Sequence, residues 1–227
     1  MKKVLLIILL FLSVLGFISL FNLDIKTSEL VYSSASQPNW IYSGASLWKF
    51  MYHYGNILPN ACGITAGILL LASVLIKKKT DFFSKQAKRK IIFVFLLFFL
   101  VPGLIVQTSK VVWGRPRPVE ITQFGGTFDF LTPFEPRFDR AGNKNSTNSF
   151  PSGHAANAFY MIFPFYVAKK RKALIFGSFG LVYGILMAIT RVVQGGHFLS
   201  DVVTSAFIVY IIAEVLKILL LDKTIKE

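Results

Sequence analysis

The chain has a single cysteine, Cys62, so no internal disulfide can staple it and no cysteine cluster is available to hold zinc. Acidic residues are also few, 11 in 227, and they are scattered, which leaves no run of carboxylates of the kind that binds Mg²⁺. Charged residues of both signs reach only 16%, and there is no low-complexity tract or internal repeat, so a disordered or solenoid chain is excluded. What is abundant is apolar. Hydrophobic residues make up 54%, including 23 Phe, more than the core of a soluble domain of this size needs, and much of that surface must therefore face lipid. The net charge of +14 does not mark a nucleic-acid binder, because the basic residues sit between apolar runs instead of forming one patch.

Six stretches approach the ~20 apolar residues that a helix needs to cross a ~30 Å hydrocarbon core. They are residues 4–21, 57–76, 91–109, 151–168, 173–190 and 199–221. This pattern predicts an all-α integral membrane protein with six transmembrane helices, one domain over residues 1–227. The fourth stretch is short and carries Asn157 and Pro164, while the sixth holds Glu214 and Lys217 near its end, where they can snorkel. The first follows Lys2 and Lys3, lacks a small-residue cleavage site, and is read as an uncleaved signal anchor.

The connections between these stretches alternate in charge. Lys2 and Lys3, then Lys77, Lys78, Lys79, Lys85, Lys88, Arg89 and Lys90, then residues 169–172, then Lys223 and Lys226 form the basic set. Because short cytoplasmic loops retain Lys and Arg, both termini are expected in the cytoplasm of an inner-membrane protein, with residues 22–56, 110–150 and 191–198 on the periplasmic side. The first outer loop carries Trp40, Tyr42, Trp48, Tyr52 and Tyr54; it reads as an interfacial aromatic belt, with residues 46–54 an amphipathic helix and His53 an interface residue.

Three clusters fall on that outer side. Lys110, Arg115 and Arg117 place three cations at the end of a lipid-embedded helix, a costly arrangement unless something anionic is bound. Pro151-Ser152-Gly153-His154 opens the fourth stretch: proline suits a first helical turn, serine brings a hydroxyl, and glycine allows close approach to exposed N–H groups, the outline of a phosphate cradle. His197 and Asp201 lie one helical turn apart, so the carboxylate can hold one ring nitrogen and leave the other to attack. Taken singly, the cations suit lipid headgroups, the turn is a common helix start, and the His–Asp pair can be a cap. Together with Arg191 they make an inventory for phosphoryl transfer in which Lys110, Arg117 and Arg191 supply the positive charge that metals otherwise lend. No metal and no cofactor are expected.

These residues resemble the type 2 phosphatidic acid phosphatase (PAP2) superfamily, whose signature is K-x6-R-P, P-S-G-H and S-R-x5-H-x3-D. The parts here are Lys110-x6-Arg117-Pro118, Pro151-Ser152-Gly153-His154 and Thr190-Arg191-x5-His197-x3-Asp201, with threonine where the family has serine. The resemblance implies a membrane lipid phosphatase in which His197 is the nucleophile that becomes phosphohistidine, Asp201 orients it, and His154 protonates the leaving oxygen. Lys110, Arg117, Ser152, Gly153 and Arg191 would hold the phosphate. Arg115 fits no motif position and is read as a headgroup contact; residues 110–150, chiefly 119–148, are read as a substrate lid. Trp113 to Pro118, Phe124-Gly125-Gly126 and Thr132-Pro133-Phe134 look more like the lipid A phosphatases. Phosphatidylglycerophosphate and undecaprenyl diphosphate phosphatases use the same three clusters. The expected partner is thus a phospholipid or lipid A within the membrane, and not nucleic acid. Two other classes share part of the pattern: vanadate haloperoxidases, which are larger and soluble, and non-catalytic lipid-binding or transport proteins, which need no paired histidines.

Overall fold

A computed structural model describes residues 2–35, 39–75, 83–140 and 148–222. The helices in chain order are α1 (Lys2–Leu20), α2 (Leu23–Glu29), α3 (Ser46–Tyr54), α4 (Ile57–Leu75), α5 (Lys85–Phe98), α6 (Val106–Trp113), α7 (Gly153–Phe159), α8 (Pro164–Val167), α9 (Lys170–Val193) and α10 (Leu199–Leu216). Five helical segments among the described residues are long and apolar enough to cross a membrane: Lys2–Leu20, Ser46–Leu75, Lys85–Glu120, Lys170–Val193 and Leu199–Leu221. Their outward faces carry side chains such as Leu6, Ile68 and Leu174 at more than 60% exposure, the reverse of a soluble bundle and the expected pattern where lipid is the solvent.

The expected fourth span is not one long helix. Residues 151–168 fold as α7, a 3₁₀ turn Tyr160–Ile162 and α8. Pro164 lacks an N–H and its ring crowds the preceding turn, so the helix ends before it. The segment is also buried from Ala155 to Ile162, packed inside the bundle. Its neighbour α9 makes room for it: a Cβ on Gly180 would overlap the Met161 carbonyl, and Gly177 and Gly184 face the rings of Phe165 and Phe159 just as closely. Small residues on a helix face allow backbones to approach closely where lipid gives no hydrophobic drive for association.

Within the third span, α5 passes into a π-helical stretch, Phe99–Ile105, containing Pro102, before α6 resumes. Such bulges shift the register of the helix beyond them and occur often near functional sites. Glu214 does not snorkel. It is buried at 4% exposure and accepts from Lys3 Nζ at 2.8 Å and from Tyr166 Oη at 3.1 Å. That pair fixes α1 beside the end of α10 and sets the N-terminal lysines at the same end of the bundle. Lys77, Lys78, Lys79, Lys144, Lys223 and Lys226 lie outside the described residues.

Gly180→Leu is expected to destabilise the bundle by at least the ~1–3 kcal/mol of an overpacked core, because the obstacle is backbone and cannot rotate away. Thermal unfolding and monodispersity in detergent, compared with the exposed control Leu174→Ala, check this.

Candidate active site

Three connections meet at the end of the bundle opposite Lys3. α6 stops at Gly114, which takes the left-handed conformation (φ 61°), and the chain then runs extended through Arg115 and Arg117. Ser152 caps α7, its Oγ accepting from Ala155 N at 3.4 Å, while its own N–H donates to the Asp201 carbonyl at 3.3 Å and its carbonyl accepts from Ser205 Oγ at 2.8 Å. These bonds seat the start of α7 against the start of α10. A Cβ on Gly153 would come within 3.3 Å of Lys110 Nζ, so the lysine ammonium lies directly over the glycine.

Arg191, in the last turn of α9, stays near its helix end because the connection to α10 is made of glycine. Gly195 adopts φ 63°, and a Cβ on Gly196 would overlap Arg191 Nη2, so a larger residue there would displace the guanidinium. Arg191 Nη1 donates to Gln194 Oε1 at 2.6 Å, and Gln194 in turn donates to the Trp48 carbonyl at 3.3 Å. The Arg191 guanidinium also sits 4.7 Å over the Tyr52 ring, which stacks on His154 with centroids 5.2 Å apart. Tyr52, although partly exposed, therefore contacts the site as well as the surface, and Trp40 is buried, against Ile121, Phe124 and Phe198. Tyr42 and Tyr54 are exposed as expected of belt residues. Arg117 Nε and Arg191 Nε are buried donors with no protein partner. Unpaired buried N–H groups are costly, and two guanidinium donors in one place are what an anion would satisfy.

His197 is 1% exposed and sits between the helices, not on one. Its Nδ1 lies 3.4 Å from Asp201 Oδ2 and 3.4 Å from Ser149 Oγ, which leaves Nε2 as the nitrogen available for attack. Burial holds its imidazole well below the usual histidine range; Arg191 and Lys110 act in the same direction and Asp201 opposes them. The ring is neutral at pH 7 and retains a lone pair for bond formation. Among the described residues no three His, Cys, Asp or Glu side chains converge as metal ligands. Thr190, the departure from the family motif, donates to the Leu186 carbonyl at 2.8 Å within α9.

Arg115 is a correction to the sequence expectation. It is fully buried and does not reach a headgroup. Its Nη1 donates to Asp201 Oδ1 at 2.5 Å and to Ser200 Oγ at 2.7 Å, its Nη2 to Asp24 Oδ2 at 2.8 Å, and its Nε to the Leu131 carbonyl at 2.9 Å. The ring of Phe198 lies 4.5 Å from the guanidinium carbon. Asp24, on α2, also accepts from Ser200 N at 2.7 Å and Ser200 Oγ at 2.6 Å. The other Asp201 oxygen accepts from Phe198 N at 2.8 Å and from Ser149 Oγ. Both oxygens of Asp201 are thus pinned, and the carboxylate cannot turn away from His197. Sequence reasoning missed Asp24 and Ser149. The available signal for Asp24 was an ionisable residue directly after an apolar span, where such groups are rarely idle.

The described part of the 110–150 connection packs against this end through residues 113–137. Val119 N donates to the Gly195 carbonyl at 3.1 Å, Trp113 Nε1 to the Pro133 carbonyl at 3.2 Å, and Arg137 N to the Trp113 carbonyl at 2.8 Å. Ile121, Phe124 and Leu131 are buried residues of this connection, and residues 141–147 fall outside the described residues.

Asp24→Asn removes one of the two carboxylates around Arg115 without touching the phosphate cradle. Phosphate-ester turnover is expected to fall about 10- to 100-fold in kcat with KM changed less than about 2-fold, as for other residues that orient a reacting group. Steady-state kinetics on monodisperse protein in detergent read this split.

A profile of the PAP2 superfamily matches residues 90–224, which include every residue of the cradle and the His197–Asp201 pair. The lipid A 4'-phosphatase of Francisella tularensis subsp. novicida is 34% identical over 194 residues, 84% of this chain and 82% of the relative. The lipid A 4'-phosphatase of Rhizobium leguminosarum is 35% identical over 104 residues, 45% of this chain and 42% of that one. The fold is similar to the crystal structure of a transmembrane PAP2-type phosphatidylglycerolphosphate phosphatase from Bacillus subtilis, with a TM-score of 0.58 and 20% identity over 99% of this chain and 98% of the other. With the three motifs, their meeting at one end of the bundle and these likenesses in hand, the chain belongs to the PAP2 superfamily of membrane phosphatases.

Proposed function

We propose that this phosphatase removes a phosphate monoester from a lipid headgroup of the lipid A type, by way of a phosphohistidine on His197, at the periplasmic face of the inner membrane. The observation that carries the reading is the His197–Asp201 pair beside two buried guanidinium groups whose Nε donors have no protein partner. Lys110, Arg117, Arg191, the Ser152 hydroxyl and the Gly153 amide hold the three non-bridging oxygens and stabilise the charge that spreads over them in the transition state. His197 Nε2 attacks phosphorus in line and the bond to the sugar oxygen breaks. Burial and the nearby Arg191 and Lys110 hold His154 of the free enzyme well below the usual histidine range, so it takes up its proton together with the anionic substrate and delivers it to that oxygen. His154 then takes a proton from water, whose oxygen attacks the phosphohistidine. The N–P bond breaks, inorganic phosphate leaves, and His197 returns to its neutral form. Asp201 holds Nδ1–H throughout and stabilises the cationic ring while it carries phosphate.

The choice of lipid A over other lipid phosphates rests on the relative matched over 82% of its own length. The orientation rests on charge. α9, Lys170–Val193, carries the basic run 169–172 at its start and Arg191 in its last turn, about 30 Å apart at ~1.5 Å per residue. Lys3 lies at the same end as Lys217 through its bond to Glu214. Basic connections at one end and the site at the other fit cytoplasmic termini and a periplasmic site.

His197→Ala is expected to lower phosphate release from lipid A at least ~10³-fold while the protein remains monodisperse, and ³²P-labelled substrate should trap an acid-labile phosphoprotein in wild type but not in the variant. A chelator should leave the rate unchanged. Undiminished release in the variant, or loss of activity on chelation, overturns the mechanism.

A further inference from the structure

Beside the phosphate cradle lies a cavity of about 280 Å³ that shares Lys110, Gly153 and His154 with it and is otherwise lined by the chain at Phe98, Pro102 and Gly103 and by four neutral amides, Asn56, Asn60, Gln107 and Asn157. The amides come from three places in the fold: Asn56 and Asn60 from the start of α4, Gln107 from α6 and Asn157 from α7. Asn157 is 6% exposed; its Nδ2 donates to Asn60 Oδ1 at 2.8 Å and Asn56 Oδ1 at 3.2 Å, and its Oδ1 is buried with no partner. Asn60 and Gln107 are exposed polar groups on helices whose other outward residues are largely apolar. Amides at such positions are unfavourable in lipid, and an unpartnered buried acceptor adds to the cost, unless a polar molecule takes the place of hydrocarbon there.

The position of the cavity says which part of a substrate that is. In an in-line displacement the leaving group departs opposite His197, on the side of the acid that protonates it, and His154 lines this cavity. Asn157 is three residues beyond His154, on the same face of α7. A second phosphate would call for further cations, and an acyl chain would need no amides. Part of this polarity is spent internally, Asn157 Nδ2 on Asn56 and Asn60 and Gln107 Nε2 on the Pro102 carbonyl at 3.1 Å. The Asn157 and Gln107 oxygens and the Asn56 and Asn60 amino groups are left to suit the hydroxyl and acylamido groups of a pyranose ring, and the volume admits one such ring.

We infer that Asn56, Asn60, Gln107 and Asn157 form a sugar-recognition subsite that receives the leaving-group ring of the phosphorylated lipid. This rests on the proposed phosphatase reading and specifies its headgroup. Asn60→Leu, at the rim where the fold tolerates change, and Asn157→Ala, in the interior, are compared with wild type on lipid A, phosphatidylglycerophosphate and phosphatidic acid in one detergent. For both variants the ratio of kcat/KM for lipid A over phosphatidic acid is expected to fall about 10-fold, since a site built to hydrogen-bond its substrate loses most where those bonds exist. An unchanged ratio, or a parallel loss on all three lipids, overturns the subsite and leaves the phosphatase reading standing. Wild-type protein that releases phosphate from phosphatidic acid but none from lipid A overturns the lipid A reading and the subsite together, while inactivity on all three defeats the lipid-phosphatase reading itself.

Discussion

A guanidinium buried between two carboxylates organises this protein. Arg115, Asp24 and Asp201 are each no more than 2% exposed, and removing such ions from water costs several kcal/mol apiece unless their geometry and hydrogen bonding are close to complete. Here they are: the arginine bonds Asp24, Ser200, Asp201 and the Leu131 carbonyl, and Ser200, Ser149 and the Phe198 amide take up the remaining carboxylate oxygens. Because the partners come from α2, from the chain after α6 and from α10, the network ties three distant parts of the sequence to one point. Asp201 therefore presents a fixed oxygen to His197 before any substrate arrives. In the proposed reaction, preorganisation of this kind spares the cost of ordering the reacting group during catalysis.

The same economy of charge runs through the site. Cations cluster where lipid-embedded helices end; Asp24 and Asp201 offset part of their mutual repulsion, and the proposed anionic substrate would offset more. Tyr52 links the two halves, carrying Arg191 on its ring and stacking on His154. The aromatic helix α3 is thus divided by contact: Phe50 and Tyr54 point away from the cradle, while Tyr52, itself partly exposed, packs on Arg191 and His154. Glycines on α9 and in the α9–α10 turn supply the room. Gly180 lets the buried α7–α8 segment press against α9, and Gly196 lets Arg191 lie along the turn that carries His197.

Much of this is legible in the residues alone. Long apolar runs dictate helices in a bilayer, since every backbone polar group must be satisfied within the segment. Fixed spacings such as Lys110 to Arg117 and His197 to Asp201 mark the candidate chemistry as motifs, but their geometry is not local: α6 ends between the first two, and His197 lies before the first turn of α10. Hydropathy fails at the fourth span for a physical reason: it does not distinguish a helix that faces lipid from a segment buried among other helices, and residues 155–162 are of the second kind. It fails at Glu214 as well, because nothing local to α10 announces that Lys3 lies beside it.

Composition and neighbours within a few turns are enough to specify the helical class, the apolar surface, the basic asymmetry of the connections and the candidate residues of the cradle and its paired histidines. Long-range packing had to supply the rest: that Arg115 serves Asp201 and not a headgroup, that Asp24 and Tyr52 belong to the site, and that four amides from α4, α6 and α7 share one cavity with His154. Arg115 and Asp24 pair across 91 positions, and Asn60 and Asn157 hydrogen-bond across 97. Contacts at that separation depend on how whole helices pack against one another, which no local pattern encodes.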